Sequence, residues 1–350
     1  MIDNSKKNIN WINAVKAICM ISVYVIHCQS YYGYWMPGVV NDLITPYYVT
    51  AFFFVSGYLL FRKQLSAPMI EQGRSEYAKG GGKDLFKNVV FKIFIPTILF
   101  SLIEYVPKHI LRGEGLSLHT LLSNTIGGGT YWFTSALVVA ELVLLLLLLY
   151  RKSNIWFYVT TGLIAAIIGY WLIQIDFHIF GFGRDPWAYR RGLIAIAYLV
   201  VGGLYWRYES VLSKVLNIYV VIALLLVYAF IFSDNDHTAR ASISTMNINW
   251  MGYLASLLGC VVLIHLCKLL KPIPFLTFVG QNSLCFYFLS GALPMLVSMV
   301  VKRFVGVDHM YGLFLVFIIC IVIAYVVTLI LNRYLPFVFD LRRLKRKTEK

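Results

Sequence analysis

Lys16 and His27 are basic groups set into an apolar stretch, residues 11–30, where a polar side chain is expensive to keep. In a helix, the eleven steps between them turn the chain by about 1100°, which is three turns and about 20° more. Both side chains then leave one face, about 16 Å apart along the axis. Histidine is the side chain best tuned to move a proton near neutral pH. A lysine one layer away suits an anion. The pair therefore fits a reaction that takes an anionic cofactor from one side of a barrier and an acceptor from the other. Lys16 snorkelling to lipid headgroups, with His27 capping a helix end, is the competing account. For the two together, function is the stronger reading.

Other charges are set in apolar surroundings. Lys92 lies four residues before Pro96, Glu104 follows in the same run, and Glu141 sits in the middle of another. Glu141 is the hardest to dismiss: it either pairs with a buried cation or stays protonated. Residues 176–191 hold Asp176, His178, Arg184, Asp185, Trp187, Arg190 and Arg191. They form either a solvated loop or a polar mouth for a carbohydrate or phosphate acceptor. Ser56 has no base beside it, so Ser56-Gly57 reads as a close helix contact rather than a nucleophile. The six cysteines all lie in apolar runs, which argues against a disulfide scaffold and a CxxC metal site. No metal site is expected.

The elements that must position these groups are membrane helices. Of 350 residues, 59% are hydrophobic and 13% charged, against about half and a quarter in soluble domains. Apolar runs occur at 11–30, 43–61, 89–106, 131–150, 155–174, 192–206, 216–233, 249–267, 275–301 and 311–332. The fold class is all-α: a polytopic membrane bundle of about ten transmembrane helices, with a kink expected at Pro294. The chain reads as one membrane domain over 1–350, with a basic, Gly-rich cytoplasmic loop at 62–88 and a basic cytoplasmic tail at 333–350. No small-residue cleavage site follows Lys6 and Lys7, so the first helix is expected to be retained. With the N-terminus inside, 21 Lys and Arg residues fall on the cytoplasmic side and 8 outside, and this bias puts both termini in the cytoplasm. The net charge of +15 follows that pattern and carries no nucleic-acid signature. Aromatics such as Tyr31, Tyr32, Tyr34 and Trp35 read as interfacial anchors ahead of sugar platforms.

Taken in order, these residues resemble acyltransferase family 3, the bacterial integral-membrane O-acyltransferases that modify sugars. Lys16 and His27 match its basic-x10-His pattern. Phe52 to Leu59 resembles its FFxxSGYL helix. Lys92 to Pro96 resembles its basic residue before IP, and Phe278 to Leu284 with Tyr287 resembles its GxNSLxxY motif. Tyr131-Trp132-Phe133 is similar to the WF opening of a middle helix in the sugar O-acetylase branch. Two departures stand out. Ser290 occupies a position where the family often has His, and Lys87 and Lys92 are the nearest equivalents of a paired-arginine motif.

The resemblance implies transfer of an acyl group, acetyl by preference, from cytoplasmic acyl-CoA to a hydroxyl of a cell-envelope or exported polysaccharide, lipid-linked acceptors included. The enzyme would lie in the bacterial inner membrane, among lipids, with acetyl-CoA as a substrate and no permanently bound cofactor. His27 and Lys16 would be catalytic, through direct transfer or an acyl-His27 intermediate. Lys87 and Lys92 would hold CoA. Glu141, Arg190, Arg191, Asn282 and Ser283 would meet the acceptor. The rival is a secondary transporter or glycan flippase, with Lys16, Glu104 and Glu141 as a substrate or proton path.

Overall fold

The structure, a computed structural model, describes residues 10–150, 153–175, 185–233, 242–243, 250–306, 309–340 and 342. Among them no β-strand forms, and the apolar runs lie mainly in helices. In chain order the helices are α1 (Asn10–Tyr32), α2 (Gly38–Ile44), α3 (Thr50–Gln64), α4 (Ala67–Ile70) and α5 (Arg74–Arg112). Then come α6 (Leu118–Asn124), α7 (Trp132–Leu148), α8 (Ile155–Gln174), α9 (Tyr189–Val215) and α10 (Ile218–Ser233). The last are α11 (Trp250–Leu269), α12 (Pro274–Gln281), α13 (Ser283–Leu289), α14 (Ala292–Val305) and α15 (Met310–Tyr334). Backbone hydrogen bonds closed within a helix are what an apolar surrounding requires.

Two expectations change. Among the described residues, five helices are long and apolar enough to cross a membrane, or up to seven when each bent pair is one span. This is fewer than about ten because α3, α7 and α10 have only 15, 17 and 16 residues, short of the roughly 20 that a full crossing needs. The run 275–301 is itself three helices. The second change concerns 62–88, expected as a loop. From Arg74 onward it is part of continuous α5, and a π-helical turn at Ala78–Gly82 takes up its glycines. The buried Tyr77 hydroxyl fixes this stretch by donating to Gln64 Oε1 at 2.9 Å.

The chain forms two compact units, Met1–Phe52 with Ser213–Thr328 and Phe53–Leu212 with Leu329–Lys350. In the first, α1 packs on α11, α12, α13 and α14. A Cβ on Gly280 would lie 2.1 Å from the Asn13 carbonyl oxygen, so α12 meets α1 backbone to backbone. In the second, α3 and α9 approach as closely. A Cβ on Gly57 would lie 1.9 Å from the Leu199 carbonyl oxygen. The Ser56-Gly57 pair thus has the packing role expected of it. The six cysteines are buried and unbridged.

Candidate active site

Helix α1 runs unbroken from Asn10 to Tyr32, so the spacing of Lys16 and His27 holds and both stand on one face. Both are half-buried. His27 Nδ1 lies 2.5 Å from the main-chain carbonyl oxygen of Ser290. A carbonyl only accepts, so Nδ1 carries the hydrogen, and a neutral ring then keeps its lone pair on Nε2. Tyr31 meets the ring edge-on, with centroids 6.4 Å apart. One turn below, the buried Tyr24 hydroxyl donates to the Phe286 carbonyl at 3.0 Å. Sequence reading passed over Tyr24 and the Ser290 carbonyl. Position 290 was judged by its side chain, whose hydroxyl turns back to the Tyr287 carbonyl at 2.8 Å.

The late motif explains the break between α12 and α13. The Asn282 amide donates to the Phe278 carbonyl at 2.8 Å beside its own main-chain N–H at 3.1 Å, and its φ/ψ of −108°/19° leaves the helical region. Ser283 then opens α13, half-buried. Lys16, His27, Asn282 and Ser283 all belong to the first unit.

The other candidates belong to the second unit. Lys92 sits exposed in a π-helical turn, Val90–Phe94. Pro96 accounts for that turn, because it has no N–H for the Lys92 carbonyl and its ring would clash there. Lys87 is half-buried one turn earlier. Beside this helix Arg342 clamps Asp340 through two contacts, Nε to Oδ1 at 2.7 Å and Nη2 to Oδ2 at 2.8 Å, and Nη2 also reaches Asn88 Oδ1 at 3.1 Å. The Arg342 hydrogen bond holds the Asp340 carboxyl below its ordinary range against the opposing effect of partial burial, and the Lys92 charge adds to the lowering. Glu141 is buried within α7. Glu104 is also buried, with Lys108 Nζ 3.7 Å away.

The two arginines have different settings. Arg190 is 2% exposed. Its Nε lies 3.4 Å from Asp185 Oδ1, and Nη1 reaches the Leu172 carbonyl at 3.4 Å. Burial pushes the Asp185 carboxyl above its ordinary range, while Arg190 and Arg191 pull it back in part. Arg191 instead lies over the Trp132 ring, 4.4 Å from its centroid, a cation–π contact. Between them and α7, Trp187 and Ala188 hold φ of 54° and 45°, a strained conformation for non-glycine residues. Trp187 N–H donates to the Gly127 carbonyl at 2.7 Å, and its ring stacks on Phe94 at 4.8 Å. Asp176, His178 and Arg184 lie outside the described residues.

Long apolar helices that keep titratable groups in their interior define a multi-pass membrane protein. A family model described as an acyltransferase domain matches residues 9–333, and the chain belongs to acyltransferase family 3. No curated protein and no solved structure matches it significantly. The protein is thus a membrane acyltransferase, and the transporter reading gives way to acyl transfer.

Proposed function

We propose that this enzyme moves an acyl group, acetyl by preference, from cytoplasmic acyl-CoA to a hydroxyl of a cell-envelope or exported glycan. The observation that carries this reading is the His27 Nδ1 contact with the Ser290 carbonyl, on an unbroken helix that also bears Lys16. A sugar hydroxyl is a poor nucleophile near neutral pH. His27 Nε2 takes its proton as the oxygen attacks the thioester carbon. The C–S bond then breaks, the ester is released, and the CoA thiolate leaves with the proton from the imidazolium. Lys16 stabilises the negative charge that builds up during the attack. In the covalent variant, Nε2 attacks the thioester carbon first and the C–S bond breaks to give acyl-His27 and CoA thiolate; the glycan hydroxyl then attacks the acyl carbon, the C–N bond breaks, and its proton goes to the thiolate.

Lys87 and Lys92 receive the CoA phosphates as positive charges. Glu141, Arg191, Asn282 and Ser283 contact the acceptor, and Arg190 acts with them by holding Asp185. The enzyme lies in the bacterial inner membrane with both termini in the cytoplasm. Support comes from the family, the lysines before Pro96 and the distribution of Lys and Arg. Purified protein in lipid nanodiscs, given radiolabelled acetyl-CoA and the glycan of its host, should release CoA and form an ester that survives removal of the protein. Release of CoA with no label on any glycan would overturn the acceptor class. A periplasmic reporter fused after Lys350 should be silent and one fused near residue 308 active; the reverse pattern would overturn the topology.

A further inference from the structure

Helix α13 ends at Leu289, α14 begins at Ala292, and the two are bent by 49° at the junction. A continuous helix would give the Ser290 carbonyl a donor from the N–H of residue 294. Residue 294 is proline, which has no N–H, and its ring crowds the carbonyl four residues back. The bend accordingly falls one turn before Pro294 rather than at it. Pro294 itself sits in the first turn of α14, where a missing N–H is tolerated. Ser290 N–H meanwhile bonds to the Tyr287 carbonyl at 3.1 Å, so it does not serve Phe286. The carbonyls of Phe286 and Ser290 are both met from α1, by the Tyr24 hydroxyl at 3.0 Å and by His27 Nδ1 at 2.5 Å. Helix ends buried in apolar surroundings need such partners.

We propose that Pro294 and Tyr24 are positioning residues for His27: the proline keeps the Ser290 carbonyl open to Nδ1, and Tyr24 holds the same helix end in register, so that the ring stays in the tautomer whose lone pair is on Nε2. The proposal rests on the reading of His27 as the base or nucleophile. It gives that reading an orientation, because only one ring nitrogen can then work on the hydroxyl. A main-chain carbonyl also carries no net charge, so it fixes the tautomer without drawing a proton onto the ring, as a carboxylate partner would.

The test is ¹⁵N NMR of histidine-labelled protein in nanodiscs, with the His27 signals assigned by comparison with His27→Gln. In the wild type, Nδ1 should show the shift of a protonated nitrogen and Nε2 that of an unprotonated one above the ring pKa. Pro294→Ala supplies an N–H that competes for the Ser290 carbonyl. A second tautomer should appear, and kcat should fall about tenfold, roughly the worth of one hydrogen bond, with KM for acyl-CoA unchanged. Tyr24→Phe should shift the same signals in the same direction by a smaller amount. A wild-type ring protonated on Nε2, or His27 shifts and kcat both unmoved in Pro294→Ala, would overturn the positioning proposal while leaving His27 as a catalyst. Full activity in His27→Ala would instead remove the catalytic reading beneath it.

Discussion

In the first unit, Tyr24 and His27 of α1 give their hydrogens to main-chain carbonyls at the end of α13. In the second, polar side chains meet carboxylates: Arg190 meets Asp185, Arg342 meets Asp340, and the Tyr58 hydroxyl donates to Glu209 at 2.5 Å. The difference has consequences for chemistry. A carbonyl partner fixes which nitrogen of a histidine carries the hydrogen and brings no net charge to the ring. A charged partner neutralises an ion that would otherwise be costly to bury, and so serves the fold. Both units bring backbones together at glycine, at Gly280 and at Gly57, so packing style does not separate them. In the second unit side-chain hydrogens go both to main-chain carbonyls, as from His109 Nδ1 to Tyr105 at 2.8 Å, and to the carboxylates of Asp185, Asp340 and Glu209.

Mutations that remove one partner should break this contrast unequally. Arg190→Ala should have the largest effect on stability, about 1.5–3 kcal/mol, because it removes the nearer charged partner of the half-buried Asp185 carboxyl. Thermal unfolding in detergent would show it, and Arg190→Ala with Asp185→Ala should recover most of the loss. An Arg190→Ala protein as stable as wild type would show that this pair is not structural. Tyr24→Phe should cost less, about 0.5–1.5 kcal/mol for one hydrogen bond, in the same unfolding assay.

Arg191→Ala loses a cation–π contact worth about 0.5–1 kcal/mol, so its stability should barely change. KM for the glycan should rise while KM for acyl-CoA stays level; equal rises in both would remove the acceptor role. Arg190 and Arg191 therefore need to be changed one at a time, since the double variant would confound folding with binding.

The smallest effect concerns Asp340. Its carboxyl is held below the ordinary value of 3.8, so its contribution is fully present above that value and fades as pH falls through the lower, folded one. Phe339, stacked on Phe100 at 5.6 Å, reports on this contact. Hydrogen exchange at its amide should stay slow from neutral pH down to the ordinary carboxylate range. In Asp340→Asn it should be faster at every pH in that window. Equal exchange in the two proteins would show that the clamp does not hold the segment.

The relation between Lys16 and His27 was legible because spacing alone fixes angular position on a straight helix, and α1 is straight enough for it to hold. Gly57 was legible for a similar reason: a small residue beside aromatics in an apolar run marks a close approach. The partner of His27 was not legible, since Ser290 lies 263 residues away and offers its backbone, which no side-chain pattern reports. Pro294 was visible as a break, yet a proline acts on the carbonyl four residues before it, which moves the bend to Ser290–Gly291. The 62–88 stretch misled because glycines usually end helices; here Gly81 and Gly82 are buried in a widened turn beside Tyr77. The burial of Arg190 was not legible, because it depends on contacts with Asp185 and with Leu172, 18 residues away.

The central claim is that His27 performs the proton transfer or carries the acyl group. It is tested most directly by measuring acyl transfer from labelled acetyl-CoA to glycan by His27→Ala protein, purified and shown to be folded by the unfolding assay above. The account predicts a rate lower by about two to four orders of magnitude with an unfolding midpoint close to wild type. Transfer at the wild-type rate by that folded protein would contradict it.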